Sequence, residues 1–364
     1  MLVNKYRKQL MGIGTIGVVL VHSNNIVQWP AFISRVFGFG GIGVYIFVIL
    51  SSIGLYSSLA KSINHLDDHG GGYKKTDFYI RRFQRVIVPY LLIATTLYGI
   101  KYLILQRNIL SFFYELSTLS FWIDHQGAWF VAMLIPVYFV FPWLFDWVEG
   151  DCQNQRTRQI KIAIPTAVIT VIAFTISIRN PKLYNHLSQV FISIIFYLLG
   201  FYAADEVIRE QCKGYLLSFL CIFLYAIKAI TPLGDFCFIS SVSWSLLAIP
   251  ILTVSVFFLR KIKSRVIDST LGFLGKYSLE MYLWNIFLIQ AIKEFGIIDR
   301  LAEYGDSSGY FAYGSVVVGG IFLSVVYGRI EEIVVHKMNM KNSLRTLRSW
   351  TITLYTEQHR YNLV

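Results

Sequence analysis

The chain has 364 residues, of which 55% are hydrophobic and only 15% charged, and its net charge is +12. Soluble domains carry about a quarter charged residues, so this composition, with a mean hydropathy of +0.55, excludes an ordinary soluble protein. The basic balance would suit a nucleic-acid binder, but the placement of the charges excludes that too.

Apolar stretches of the roughly 20 residues that a helix needs to cross a bilayer recur along the chain. The sequence predicts spans at roughly 9–29, 36–60, 86–105, 127–145, 162–178, 187–204, 215–232, 241–259, 277–296 and 309–329. The expected fold is therefore all-α, a polytopic membrane helix bundle of about ten transmembrane helices in a multi-pass protein of the cell membrane. With the N-terminus in the cytoplasm, the inner segments hold 25 Lys and Arg and the outer segments six: Arg35, Arg107, Arg179, Lys182, Lys293 and Arg300. That is the positive-inside signature, and it predicts cytoplasmic termini. The basic charge then faces anionic lipid rather than DNA. Residues 1–335 form one membrane domain and 336–364 a basic cytoplasmic tail, patterned as an amphipathic surface helix by Lys337, Met338, Lys341, Leu344, Arg345, Leu347, Arg348 and Trp350.

The first span ends Val18-Val-Leu-Val-His22. An imidazole at membrane depth is costly and marks a functional site by default, and His is the side chain best suited to moving protons near neutral pH. A structural histidine at a wetted helix end is the alternative. Counted from Lys8, His22 stands roughly 21 Å along the helix at 1.5 Å per residue, in the outer half of the bilayer. No small-residue cleavage site follows, so the span reads as a retained helix.

The second span opens with glycines, Gly38, Gly40, Gly41 and Gly43, that suit close helix packing. Packing explains Tyr45, Ser51 and Ser52 less well, and Tyr45 is a candidate for substrate contact. A loop follows, with the turn-like Asp67-Asp-His-Gly-Gly-Gly72. The third span then opens Phe78-Tyr-Ile-Arg81-Arg82-Phe-Gln-Arg85-Val-Ile-Val-Pro89-Tyr90. Arg82 and Arg85, and equally Arg81 and Arg85, share a helix face. Three guanidiniums at an interface can bind phosphate oxyanions bidentately, although a lipid anchor uses the same residues.

Before the fourth span, which carries Pro136 and Pro142, come Asp124, His125 and Trp129. Asp124 and His125 are either an acid/base pair or plain loop residues. Trp129 is either an interfacial anchor or a stacking face for a sugar. Cys152, Cys212, Cys221 and Cys237 have neither metal-ligand spacing nor a disulfide framework, and no metal is expected. The ninth span contains Leu274-Gly-Lys-Tyr-Ser278-Leu-Glu280-Met-Tyr282-Leu-Trp-Asn285. Glu280 needs a partner in an apolar run. Tyr282 and Asn285 share a face and can line a polar cavity.

Taken in order, Val-Val-Leu-Val-His22, Gly43-Val-Tyr45 through Ser51, Arg82-Phe-Gln-Arg85-Val-Ile-Val-Pro89-Tyr90, Trp129-Phe130 with Tyr138 and Pro142, Phe196 to Gly200, and Leu274 to Trp284 resemble the acyltransferase-3 family of integral membrane acyltransferases. The resemblance implies an acyl-CoA co-substrate taken from the cytoplasm, acetyl by default. The acceptor is then a hydroxyl of an envelope, lipid-linked or secreted glycan. It makes His22 the general base or acyl relay and Arg82 and Arg85 the donor's phosphate ligands. The chain departs from the family at Met11, where an arginine eleven residues before the histidine is common, at Tyr45, and at Asn285, where a histidine often follows the tryptophan. Arg7 and Lys8, one helical turn before Met11, are candidate substitutes. The rival reading is a transporter or flippase of a lipid-linked sugar or other envelope precursor, a class that often shows internal repeats; none is evident here. A glycan polymerase would usually carry a larger outer loop.

Overall fold

A computed structural model describes residues 3–67, 75–125, 127–150, 154–210, 213–297 and 308–361, with 61–67, 308 and 340–361 as backbone alone. No strand occurs among the described residues. Seven helical segments are long and apolar enough to cross a membrane: Ala31–Ala60, Lys75–Leu105, Trp129–Glu149, Gln155–Arg179, Pro181–Ile208, Cys237–Lys261 and Gly309–Asn339. The other three expected spans fall on helices of 17 residues each, Arg7–Ser23, Gly214–Ile230 and Ser278–Glu294. The stretch 68–72, Cys152 and Cys212 lie outside the described residues, as do the patterned side chains of the tail from Lys341 onward.

Helix α1 (Arg7–Ser23) is the pivot of the bundle. It is followed by α2 (Ala31–Gly38) and α3 (Ile42–Asp67), which one 3-10 turn joins into a single rod. Two glycine pairs seat α1 against that rod, Gly17 on Gly40 and Gly14 on Gly43, where an added Cβ would run into the facing backbone. On its other side α1 meets α14 (Arg265–Lys276) in the same way, through Gly12 against Leu271 and Gly275 against Lys8. Small residues let membrane helices approach to backbone contact, which replaces the hydrophobic drive that lipid cannot supply.

The third span is α4 (Lys75–Arg82), a π-helical turn over Phe83–Ile87, α5 (Val88–Tyr98) and a second π-helical turn over Gly99–Leu105. The first π turn has a local cause. Pro89 has no N–H to donate to the carbonyl of Arg85, so the α ladder cannot run through it and shifts register. After it come the short helices α6 (Ile109–Leu116) and α7 (Leu119–Asp124), then α8 (Trp129–Glu149), continuous through Pro136 and Pro142. Next are α9 (Gln155–Arg179), α10 (Pro181–Ile208), α11 (Gly214–Ile230), α12 (Cys237–Leu246) and α13 (Ala248–Lys261). The chain closes with α14, α15 (Ser278–Glu294) and α16 (Ser308–Tyr361). Aromatic rings knit α3, α8 and α10, with Tyr56 against Phe145 and Phe201.

Candidate active site

At the end of the bundle where α1 begins, α1, α3, α8, α15 and the first π turn enclose a cavity of about 510 Å3. Its mouth is basic, with Arg7, Lys8, Arg82, Arg85 and Lys276 on the wall. Its depth is aromatic and apolar, with Met11, Phe47, Phe130, Leu134 and Tyr282. Placing a charge at membrane depth costs roughly 2.5–3.5 kcal/mol by insertion scales, so such groups are expected to be paired. Lys276 is paired, with Glu332 at 2.9 Å. Among the described residues no carboxylate forms an ion pair with Arg7, Lys8, Arg82 or Arg85. The Nε atoms of Arg7 and Arg82 are buried and have no hydrogen-bond partner. Arg85 donates to the carbonyl of Lys276 at 3.2 Å, which ties the first π turn to the end of α14. Cations gathered without ion-pair partners can hold an external anion, and forked guanidiniums suit phosphate.

Arg7 and Met11 both line this cavity. Met11 lines the cavity as an apolar residue, and Arg7, one turn earlier, extends its guanidinium across to α3. Gly54 makes the room, since a Cβ there would overlap the Arg7 guanidinium. Arg82, Arg85 and Val86 all reach the wall across the π turn, whereas Arg81 is exposed and off the cavity.

His22 lies beyond the closed end of the cavity. Its ring centroid is 6.5 Å from that of Tyr282, and Tyr282 in turn packs on Phe130 at 5.6 Å. The Tyr282 hydroxyl is buried against the backbone of Phe130. His22 Nδ1 is 2.6 Å from Asn285 Oδ1. A chain of bonds sets the direction of that contact. Tyr313 donates its hydroxyl hydrogen to the carbonyl of Val19, so its oxygen is left to accept from Asn285 Nδ2 at 3.5 Å. The amide therefore turns Oδ1 toward His22, and Nδ1 must carry the hydrogen. Nε2 is then the unprotonated nitrogen, free to act as a base. Asn285 orients the ring and adds no charge, unlike the aspartate of a serine-protease triad. Ser23, next in the chain, accepts from Trp29 Nε1 at 2.8 Å and fixes the end of α1.

The other sequence candidates are distributed differently. Tyr45 is buried against Phe196 and Trp244 in the core, while its neighbour Val44 lines the cavity. Glu280 is buried and hydrogen-bonded to Glu331 of α16, near Arg85. Trp129 packs on Phe130 as part of the core wall. Asp124 accepts from the Tyr114 hydroxyl at 2.7 Å and raises its pKa to about 12. His125 sets its ring edge-on against His186. The structure thus joins His22 to Asn285 and Tyr282, and Arg82 to Arg85 and Arg7. It does not bring Tyr45, Trp129, Arg81 or His125 to the cavity. Sequence reasoning missed Tyr313, one tyrosine among 23 with no local signature, and passed over Lys276 inside a motif that it had quoted.

Comparison with curated proteins and with solved structures finds no match. The sequence profile described as an acyltransferase domain does match, over residues 9–328, a stretch that begins just after Arg7 and Lys8 and takes in His22, the arginines of the third span, and α15 with Tyr282 and Asn285. The chain belongs to the acyltransferase-3 family of membrane acyltransferases.

Proposed function

We propose that this protein moves an acyl group, acetyl by default, from acyl-CoA to a hydroxyl of an envelope or secreted glycan, and that the basic end of the bundle faces the cytoplasm. The carrying observation is the alignment of an unneutralised basic cavity with a histidine one aromatic ring beyond its closed end. The donor's phosphates bind Arg7, Arg82 and Arg85, and its thin pantetheine arm follows the cavity toward Tyr282. Reaction requires the Tyr282 side chain to move aside.

His22 Nε2 takes the proton of the acceptor hydroxyl as the oxygen attacks the thioester carbonyl. The tetrahedral intermediate collapses, the C–S bond breaks, and the imidazolium returns its proton to the thiolate. The products are an ester and free CoA, with no metal in any step. Cytoplasmic termini and a cell-membrane location follow from the Lys and Arg distribution.

The test is the O-acyl content of cell-envelope glycans, by mass spectrometry, in a knockout complemented with wild type or with His22→Ala at equal expression. An ester lost in the knockout and restored by wild type alone supports the assignment and names the acceptor. Unchanged esters in the knockout, under expressing conditions, would sink it for those glycans and favour transport.

A further inference from the structure

A second cavity, of about 330 Å3, opens at the opposite end of the bundle, between the second π turn, α6, the residues before α8 and the end of α15. It lies at the lower end of the ~300–1,000 Å3 range of ligand pockets. Its lining side chains include Tyr98, Glu115, His125, Gln290, Lys101 and Lys293. Glu115 is 6% exposed and Tyr98 4%. Glu115 Oε1 accepts from the Tyr102 hydroxyl at 3.0 Å. The Tyr98 hydroxyl is buried and lies against the same carboxyl. Two phenols share this carboxyl, and a carboxylate with about four lone-pair sites keeps acceptor capacity for a further donor.

The backbone is shaped to this arrangement. Gly127 stands at φ +84°, and the position of its absent Cβ is 3.2 Å from Tyr98 Oη, 3.2 Å from Ser120 Oγ and 3.5 Å from Glu115 Oε2. Any side chain at 127 would close the space onto which three oxygens converge. His125, two residues earlier, is also left-handed at φ +62°. Such backbone strain in non-glycine residues collects at functional sites.

We propose that this pocket is a saccharide subsite, in which vicinal hydroxyls of a sugar ring donate to Glu115 and bond Tyr98. Oxygen-rich convergence suits a polyol. The charges do not suit a multiply phosphorylated group, because Lys101 is already paired with Glu294 and Glu115 would repel it. Gln290 is five residues beyond Asn285, roughly 7.5 Å further along α15 at 1.5 Å per residue. The pocket, further along α15 than Asn285 and on another face of that helix, holds a different sugar of the acceptor chain from the one presented to His22. This inference rests on the reading of the chain as a glycan acyltransferase.

Two measurements on the full-length protein in membranes test it. In the first, Lys293→Cys, at the pocket rim, is labelled with a membrane-impermeant maleimide, with and without oligosaccharides released from the same cells' envelope. Those sugars should slow labelling there by about tenfold when in excess of their dissociation constant, and leave Arg107→Cys, outside the pocket, unaffected. In the second, the KM for the acceptor glycan and for acyl-CoA are compared in Glu115→Gln, which keeps the acceptor atom for Tyr102, and in Tyr98→Phe. Loss of one hydroxyl bond should raise the acceptor KM by about tenfold and leave the acyl-CoA KM unchanged. Transfer with no protection, or with an unaltered acceptor KM, overturns the subsite. Protection without any acyl transfer keeps the subsite and overturns the acyltransferase assignment.

Discussion

The cavity lined by Arg7, Arg82 and Arg85 and the pocket lined by Glu115 and Tyr98 sit at opposite ends of one bundle and treat charge in opposite ways. In the first, four cations share one space with no carboxylate partner among the described residues. In the second, Lys101 is paired with Glu294, and a carboxyl and a phenol are buried together. Unpaired guanidiniums await a multiply charged anion, whereas paired charges around buried oxygens suit a neutral, hydroxyl-rich ligand. Between the two stands His22, held through Nδ1 by Asn285. The asymmetry is what the proposed transfer, from a nucleotide donor to a sugar acceptor, would require.

The largest expected effects fall where the two ends meet. His22→Ala should lower the transfer rate by about 10²–10⁴-fold, the usual contribution of a general base, with the acyl-CoA KM little changed. Mass spectrometry of the glycan esters over time would show it. Next in size is the donor end. Each charge-assisted hydrogen bond is worth about 1.5–3 kcal/mol, so Arg82→Ala with Arg85→Ala should raise the acyl-CoA KM by about 10²-fold or more. Unchanged donor affinity in that pair would break the contrast between the ends. Asn285→Ala should cost less than His22→Ala, about 10–100-fold, the cost seen when a partner that orients a functional histidine is removed. Asn285→Asp, which keeps the acceptor atom, should recover most of it.

The long apolar segments were legible because composition alone marks them; all ten expected spans overlie helices, seven of them by length and apolarity able to cross a membrane. His22, Arg82, Arg85 and Tyr282 were legible because charge and polarity in apolar runs are expensive. Tyr45 misled for the same reason: a phenol in a membrane helix reads as functional, but its ring packs on Phe196 and Trp244 in the core. Arg81, expected to share a face with Arg85, is exposed and off the cavity, and Trp129, expected as an anchor or a stacking face, packs on Phe130 instead. Glu115 and Tyr98 were invisible, since one sits in an unremarkable amphipathic stretch and the other in an apolar one. Only tertiary packing places them beneath Gly127.

Arg7 offers the sharpest test with the smallest single effect. The family commonly places its arginine eleven residues before the histidine, where this chain has Met11, and Arg7 reaches the same cavity from one turn earlier through the gap over Gly54. If Arg7 serves that role, Met11→Arg should change the acyl-CoA KM by less than about threefold while Arg7 is present, because the anion is already bound. Arg7→Ala alone should raise the KM by about tenfold, on the scale of one charge-assisted bond. The double variant Arg7→Ala with Met11→Arg should return most of that loss, a non-additivity expected only of residues that share a partner. Gly54→Leu should mimic Arg7→Ala, since it displaces the same guanidinium without removing its charge. Additive effects in the double variant would mean that Arg7 serves the bundle rather than the donor, and the basic end would then owe its affinity to Arg82 and Arg85 alone.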